Sequence, residues 1–200
     1  MIGIMPRTKE DNEAIRATQQ AHILDAARHV FARRGWSATM SDIAEYAGIS
    51  QGLAYRYFDG KESLYYALIE ELQKPEMVTP FLDEKRSPYE RLRLLVARIL
   101  EVRGEYMEYY QLLVNTLQDD RVPATLRSAI QDYGERFGGF LRHLIITGQA
   151  AGEVAEGDPK QLESALRGCL NGLSKMAVVG QLTQQADFPT PDIVLRLIRK

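Results

Sequence analysis

The chain of 200 residues contains a single cysteine, Cys169, so an internal disulfide is excluded and a reducing, cytoplasmic setting is the expectation. Long apolar runs are missing as well. None approaches the ~20 residues that a membrane-spanning helix needs. Residues 1–20 hold no apolar segment of the kind a secretory leader carries. No membrane partner is expected. Histidine is scarce: His22, His29 and His143 have no evident nucleophile beside them, and His22 and His29, although on one helical face, lack a third ligand for a metal. There is no Gly-x-Ser-x-Gly elbow, no His-Glu-x-x-His and no phosphate-binding glycine loop ahead of a lysine. These absences argue against an enzyme and give no reason to expect a cofactor or a metal.

An excess of one charge is lacking too. The net charge is −2, and residues 1–65 carry eight cations against eight acids. Binding to nucleic acid must therefore be argued from where donors sit, not from a basic bulk.

What is present is helical periodicity. Residues 1–17 are polar and aperiodic and read as a flexible arm. Ile23, Ala26, Ala27, Val30 and Phe31 then recur at helical spacing, and Gly35 supplies a stop. Thr39 with Asp42 forms a capping-box pattern ahead of Met40, Ile43, Ala44 and Ala47. Ser50 caps a third short helix, and a fourth starts near Gly60 with Leu64, Leu68, Ile69 and Leu72 on one face. Pro75 and Pro80 bracket a break. Further helices open at Ser87-Pro88, Pro123, Asp158-Pro159 and Thr190-Pro191, and a kink is expected near Gly104. The helix from Pro159 to about Gln181 is apolar over a wide arc, and the last, from Pro191 to Lys200, spans about three turns at 3.6 residues each. No segment alternates as a long strand would. The expected fold is all-α, with about nine helices.

Two of the short helices meet at Ala47-Gly48-Ile49-Ser50, which makes a helix-turn-helix. Gly48 permits the left-handed backbone of a sharp turn. Ile43, Ala44, Ile49 and Leu53 can close the small core between the helices, and Phe58 reads as core. The second helix of such a motif presents its first residues to base edges in the major groove. Here those are Ser50, Gln51 and Gly52: Gln51 can read an adenine edge or a phosphate, and Gly52 lets the backbone approach closely. Tyr55 and Tyr57 offer hydroxyls to phosphate. Thr39 and Ser41, at the start of the supporting helix, make a phosphate clamp to which Lys61 adds a charge. Arg56 divides evenly between phosphate contact and solvated face.

The succession Thr39-Met40-Ser41-Asp42-Ile43-Ala44, Ala47-Gly48-Ile49-Ser50, Tyr55-Arg56-Tyr57-Phe58 and Lys61-Glu62-Ser63-Leu64 resembles the signature of the TetR family of transcriptional regulators. Gln51 stands where many members have lysine. The resemblance implies a DNA-binding head over residues 18–65, after the arm at 1–17, and a ligand-binding and dimerisation body over residues 66–200. It implies a homodimer on a palindromic site in double-stranded DNA, and a repressor released by a small-molecule effector. The expected interface includes Leu166, Leu170, Leu173, Val194 and Leu197. The expected ligand pocket includes Arg103, Tyr106, Tyr109, Tyr110, Leu113, Phe137, Leu141 and Met176. Cys169 reads as packing. The alternative is a protein of this fold whose body recruits a protein partner and has a filled core.

Overall fold

A computed structural model of the chain describes residues 9–74, 81–101 and 105–200, apart from the side chains of 101, 105 and 106. The described residues form nine α-helices: α1 (Lys9–Arg34), α2 (Met40–Tyr46), α3 (Gln51–Tyr55), α4 (Lys61–Glu71), α5 (Pro88–Glu101), α6 (Glu105–Gln118), α7 (Ala124–Ala150), α8 (Pro159–Val178) and α9 (Pro191–Leu195). The all-α expectation holds. The expected break at Pro75 and Pro80 and the kink at Gly104 lie outside the described residues.

The helix starts follow local chemistry. Thr39 and Asp42 close a reciprocal capping box, with the Asp42 amide donating to Thr39 Oγ1 at 3.2 Å and the Thr39 amide to Asp42 Oδ2 at 2.9 Å. Ser50 accepts from the Leu53 amide at 3.2 Å. Ser87 and Glu90 form a second reciprocal pair, at 3.0 and 3.3 Å. Asp158 accepts from the amides of Lys160 and Gln161 ahead of α8.

Three boundaries depart from the periodicity. α1 begins at Lys9, so residues 9–17 are helical rather than an aperiodic arm. None of Lys9–Thr18 is buried, so this part of the helix has no apolar face for periodicity to reveal. α8 stops at Val178. α9 covers only Pro191–Leu195, after which the chain turns and pairs with the loop beyond α7: the Ala155 amide donates to the Ile198 carbonyl at 2.8 Å, beside an isolated bridge between Val154 and Arg199.

Among the described residues two apolar clusters form the core. One joins α1–α4 to α6 and the start of α7, with Phe31 stacked on Tyr65 at 4.0 Å and Leu112, Leu126 and Ile130 reaching in from the body. The head therefore shares its core with the body, and the expected boundary at residue 65 falls inside α4. The second cluster packs α5, α7, α8 and α9 around Leu92, Leu141, Leu144, Leu166 and Leu195.

Gly148 in α7 lies against Val154, whose Cγ2 would be 2.5 Å from an added Cβ. Gly148→Ala should destabilise the fold by about 1–2 kcal/mol, overpacking outweighing the gain in helix propensity. Gly134→Ala in the same helix, with open space around its Cβ, should stabilise it slightly. Urea midpoints of the two variants check this, and equal shifts would refute the packing argument.

Candidate nucleic-acid interface and body cavity

The turn between α2 and α3 is built as the spacing suggests. Gly48 has φ 64°, in the left-handed region, and the Ile49 amide donates to the Ala44 carbonyl at 3.0 Å. Ile43, Ala44 and Ala54 are buried, and Ile49 is partly buried against the same cluster. The His22 ring of α1 donates through Nε2 to the Ala47 carbonyl at 2.8 Å, which ties the turn to the long helix behind it.

The side chains singled out from the sequence fall into two groups. Thr39, Ser41, Ser50, Gln51, Gly52, Tyr55 and Arg56 are exposed, along the rim formed by the starts of α2 and α3 and the end of α3. Phe58 is buried. Tyr57 is half-buried, with the Arg16 guanidinium 5.6 Å from its ring centre. Lys61 differs from expectation. Its ammonium donates to the Trp36 carbonyl at 2.8 Å and sits 4.0 Å from the Trp36 ring centre, so it is committed to the head's own packing. Burial and the nearby Arg121 push it below the ordinary lysine value. Hydrogen bonds from Thr39 hold the Asp42 carboxyl below its usual range, which keeps the cap charged.

Behind the head, α1 packs along α6. Glu108 uses both oxygens there: Oε1 accepts from His29 Nδ1 at 2.6 Å and Oε2 from Arg28 Nε at 3.0 Å. Arg28 also lies 5.5 Å from the centre of the Tyr109 ring. Further along the same contact, Asn115 donates to the Ala32 carbonyl at 3.1 Å.

The other face of α6 borders a cavity of about 220 Å³. Tyr109, Tyr110, Leu113 and Phe137 line it, as expected. Arg103 and the Tyr106 side chain lie outside the described residues. Leu141 is fully buried in the second core and does not reach the cavity, and Met176 is 40% exposed and points elsewhere. The polar wall, which the sequence reading missed, belongs to α8: Arg167, Asn171 and Ser174. These residues recur at helical spacing and interrupt the apolar arc, and that interruption was the available signal. The Tyr110 hydroxyl donates to the Asn171 carbonyl at 3.1 Å. Arg167 pairs at 2.9 Å with Glu163, which is 2% exposed and lies 3.8 Å from Arg142. Gly138 leaves room for that carboxylate, because a Cβ there would stand 3.1 Å from Glu163 Oε1.

The expected interface leucines need correction. Leu166, Leu170 and Val194 are buried in the chain's own second core and Leu173 packs against it, so a second copy has little of them left to cover. Leu197, at 52%, is exposed, as are Ile146, Met176 and Val179.

A tight helix-turn-helix rim, braced by a long helix onto an all-helical body with a cavity, defines a DNA-binding regulator. Residues 23–68 match the family model described as bacterial regulatory proteins, tetR family. The chain is 28% identical over 138 residues to the fatty acid metabolism regulator protein of Bacillus subtilis (strain 168), covering 68% of this chain and 70% of that protein. It is 32% identical over 100 residues to the HTH-type transcriptional regulator TtgR of Pseudomonas putida, 50% of this chain and 46% of that one. The crystal structure of the regulator FadR from Bacillus subtilis in complex with stearoyl-CoA superposes with a TM-score of 0.69 at 25% identity, over 88% of this chain and 96% of that chain. A regulator from Saccharomonospora viridis in complex with choline shares the fold, with a TM-score of 0.73 at 20% identity over 92% and 99% of the two chains. The helix-turn-helix head over residues 23–68 is that of the TetR family of transcriptional regulators.

Glu108→Ala should lower stability by about 1–2 kcal/mol, because two largely buried donors, Arg28 and His29, lose their acceptor. Urea denaturation measures it, and an unchanged midpoint would mean that apolar contact alone holds α1 to α6.

Proposed function

We propose that the protein is a homodimeric repressor of a palindromic operator, released when a small molecule occupies the body cavity. One observation carries this reading: α6 lines the cavity with Tyr110, Leu113 and Leu117 and grips the head's α1 with Glu108 and Asn115. Tyr109 belongs to both, lining the cavity and facing Arg28. A ligand that prefers one placement of α6 thereby shifts the population of head orientations. Two recognition helices must meet successive major grooves, about 34–36 Å apart, so a small change in orientation is enough to lose the second half-site.

In this reading residues 18–65 carry DNA contact and residues 66–200 carry ligand and dimer contacts, with α4 and the shared core joining the two. Thr39, Ser41, Tyr55 and Arg56 hold phosphates, and Ser50, Gln51 and Gly52 face bases. Tyr57 supports the rim. Dimerisation uses the outward faces of α7 and α8, where Gly139, Gly168 and Gly172 leave room for a second pair of helices and the exposed Ile146 and Met176 offer apolar contact. Operator binding places the protein in the cytoplasm, and among the described residues no helix is long and apolar enough to cross a membrane. A body that recruits a protein partner instead would have a filled core, and the open cavity favours the ligand reading. The named ligands of two structural relatives, stearoyl-CoA and choline, differ widely, so the shared fold leaves ligand chemistry to the cavity walls.

The test is an anisotropy titration of the full chain against labelled duplexes tiled across the DNA flanking its own gene, with random-sequence competitor. Tight, competitor-resistant binding to one duplex is expected, released by decanoate, whose size suits the cavity. The cavity-filling variant Leu113→Trp should bind the duplex and resist release. Competition by random DNA on equal terms would sink operator recognition, and release of wild type and Leu113→Trp alike would remove the cavity from the mechanism. Tyr55→Ala should weaken binding at least tenfold while the melting curve stays in place, as befits an exposed side chain. Unchanged affinity would take Tyr55 out of the interface.

A further inference from the structure

The first two turns of α1 lie beside the end of the recognition helix. Together they form an open cleft of about 600 Å³ lined by Lys9, Asn12, Glu13, Arg16, Arg56 and Tyr57, with Ile15 at its edge. Lys9, Asn12, Glu13 and Arg16 fall at i, i+3, i+4 and i+7, one face of the helix. Three cations face one acid there. Among the described residues that acid, Glu13, is engaged with Lys9 at 3.8 Å. Arg16 and Arg56 have no ion pair among the described residues, and Arg16 is held over the Tyr57 ring rather than by a carboxylate.

The balanced charge of the head conceals this arrangement. Within the cleft lining Lys9 engages Glu13, so the net positive charge there sits at Arg16 and Arg56. The cleft is continuous with the rim of α3 through Arg56. Two guanidiniums with a neighbouring amide suit a tetrahedral anion bearing several acceptor oxygens, and guanidinium forks match phosphate geometry.

We propose that this cleft is an additional DNA-backbone site: a phosphodiester outside the bases read by α3 is held between Arg16 and Arg56, with Asn12 and Lys9 at its edge. The helical extension at 9–17 thus widens the footprint of each head by a phosphate contact and adds no base readout. The proposal rests on the DNA-binding reading and adds Arg16 to it.

The experiment uses the full-length protein with two labelled probes, the best-bound duplex from the operator search and a random duplex of the same length, each titrated at several salt concentrations. The logarithm of affinity falls with the logarithm of salt by about 0.9 per phosphate neutralised. Arg16→Ala should make that slope shallower by about 0.9 for each cleft engaged, on both probes alike, and leave the preference for one duplex over the other unchanged. Arg16→Lys should restore most of the slope, and Arg16→Glu should weaken binding beyond Arg16→Ala. Arg196→Ala, which removes an exposed cation at the far end of the chain, should leave the slope in place. If Arg16→Ala lowers affinity with the slope unchanged, Arg16 acts only by positioning Tyr57 and the proposal falls. If neither slope nor affinity moves while wild type binds normally, the cleft holds no phosphate. If wild type binds neither probe, the DNA-binding reading fails first and this one with it.

Discussion

The packing of α1 along α6 fixes where the head stands on the body. α1 packs on α2 and α4 in the head and on α6 in the body, so it belongs to both. Its apolar side is continuous with the body through Leu112, Leu126 and Ile130, and its polar side is fastened by Glu108. A half-buried carboxylate that accepts from two side chains at once is directional in a way that apolar packing is not. It selects one rotation and one register of α1 against α6, because a slip of either helix would strand a charge away from water. The hydrogen bond from Asn115 to the Ala32 carbonyl repeats the restraint further along.

That arrangement explains why the head is small and yet held in place. α2 and α3 are short, and their own core consists of a few residues around Ile43, Ala44 and Ala54. Left alone they would be marginal, since short helices take their stability from the faces they bury. α1 buries those faces, His22 ties down the turn, and Lys61 closes over Trp36 at the opposite edge. The exposed rim is then free to be polar. Behind it, α6 has a second task, because its opposite side meets a cavity whose far wall carries Arg167, Asn171 and Ser174. The buried Glu163 keeps that wall in order by pairing with Arg167 beside Gly138.

Much of the head was legible because its determinants are local. The Thr39–Asp42 cap, the left-handed Gly48 and the Ser50 cap each act within four residues, so their chemistry is visible in the order of the letters. Phe58 and the apolar face at Ile23–Phe31 followed from periodicity. The first turns of α1 were not legible, since no residue from Lys9 to Thr18 is buried and the segment is helical by extension from the anchored part. The Lys61 side chain was misplaced for a related reason: its partner is a backbone carbonyl 25 positions earlier, brought near only by the turn at Gly35.

The helical class, most helix starts and the helix-turn-helix with its exposed rim follow from the order of residues alone, because caps, turns and amphipathic faces are set by neighbours along the chain. Tertiary structure decided which face of each body helix meets what. It put Leu166 and Leu170 in the chain's own core, turned Arg167 toward the cavity, shortened the last helix by pairing Ile198 with Ala155, and laid Arg16 beside Arg56. An apolar arc on a helix says only that it must be covered. What covers it is settled by distant segments, and the same holds for a charge whose partner lies on another helix.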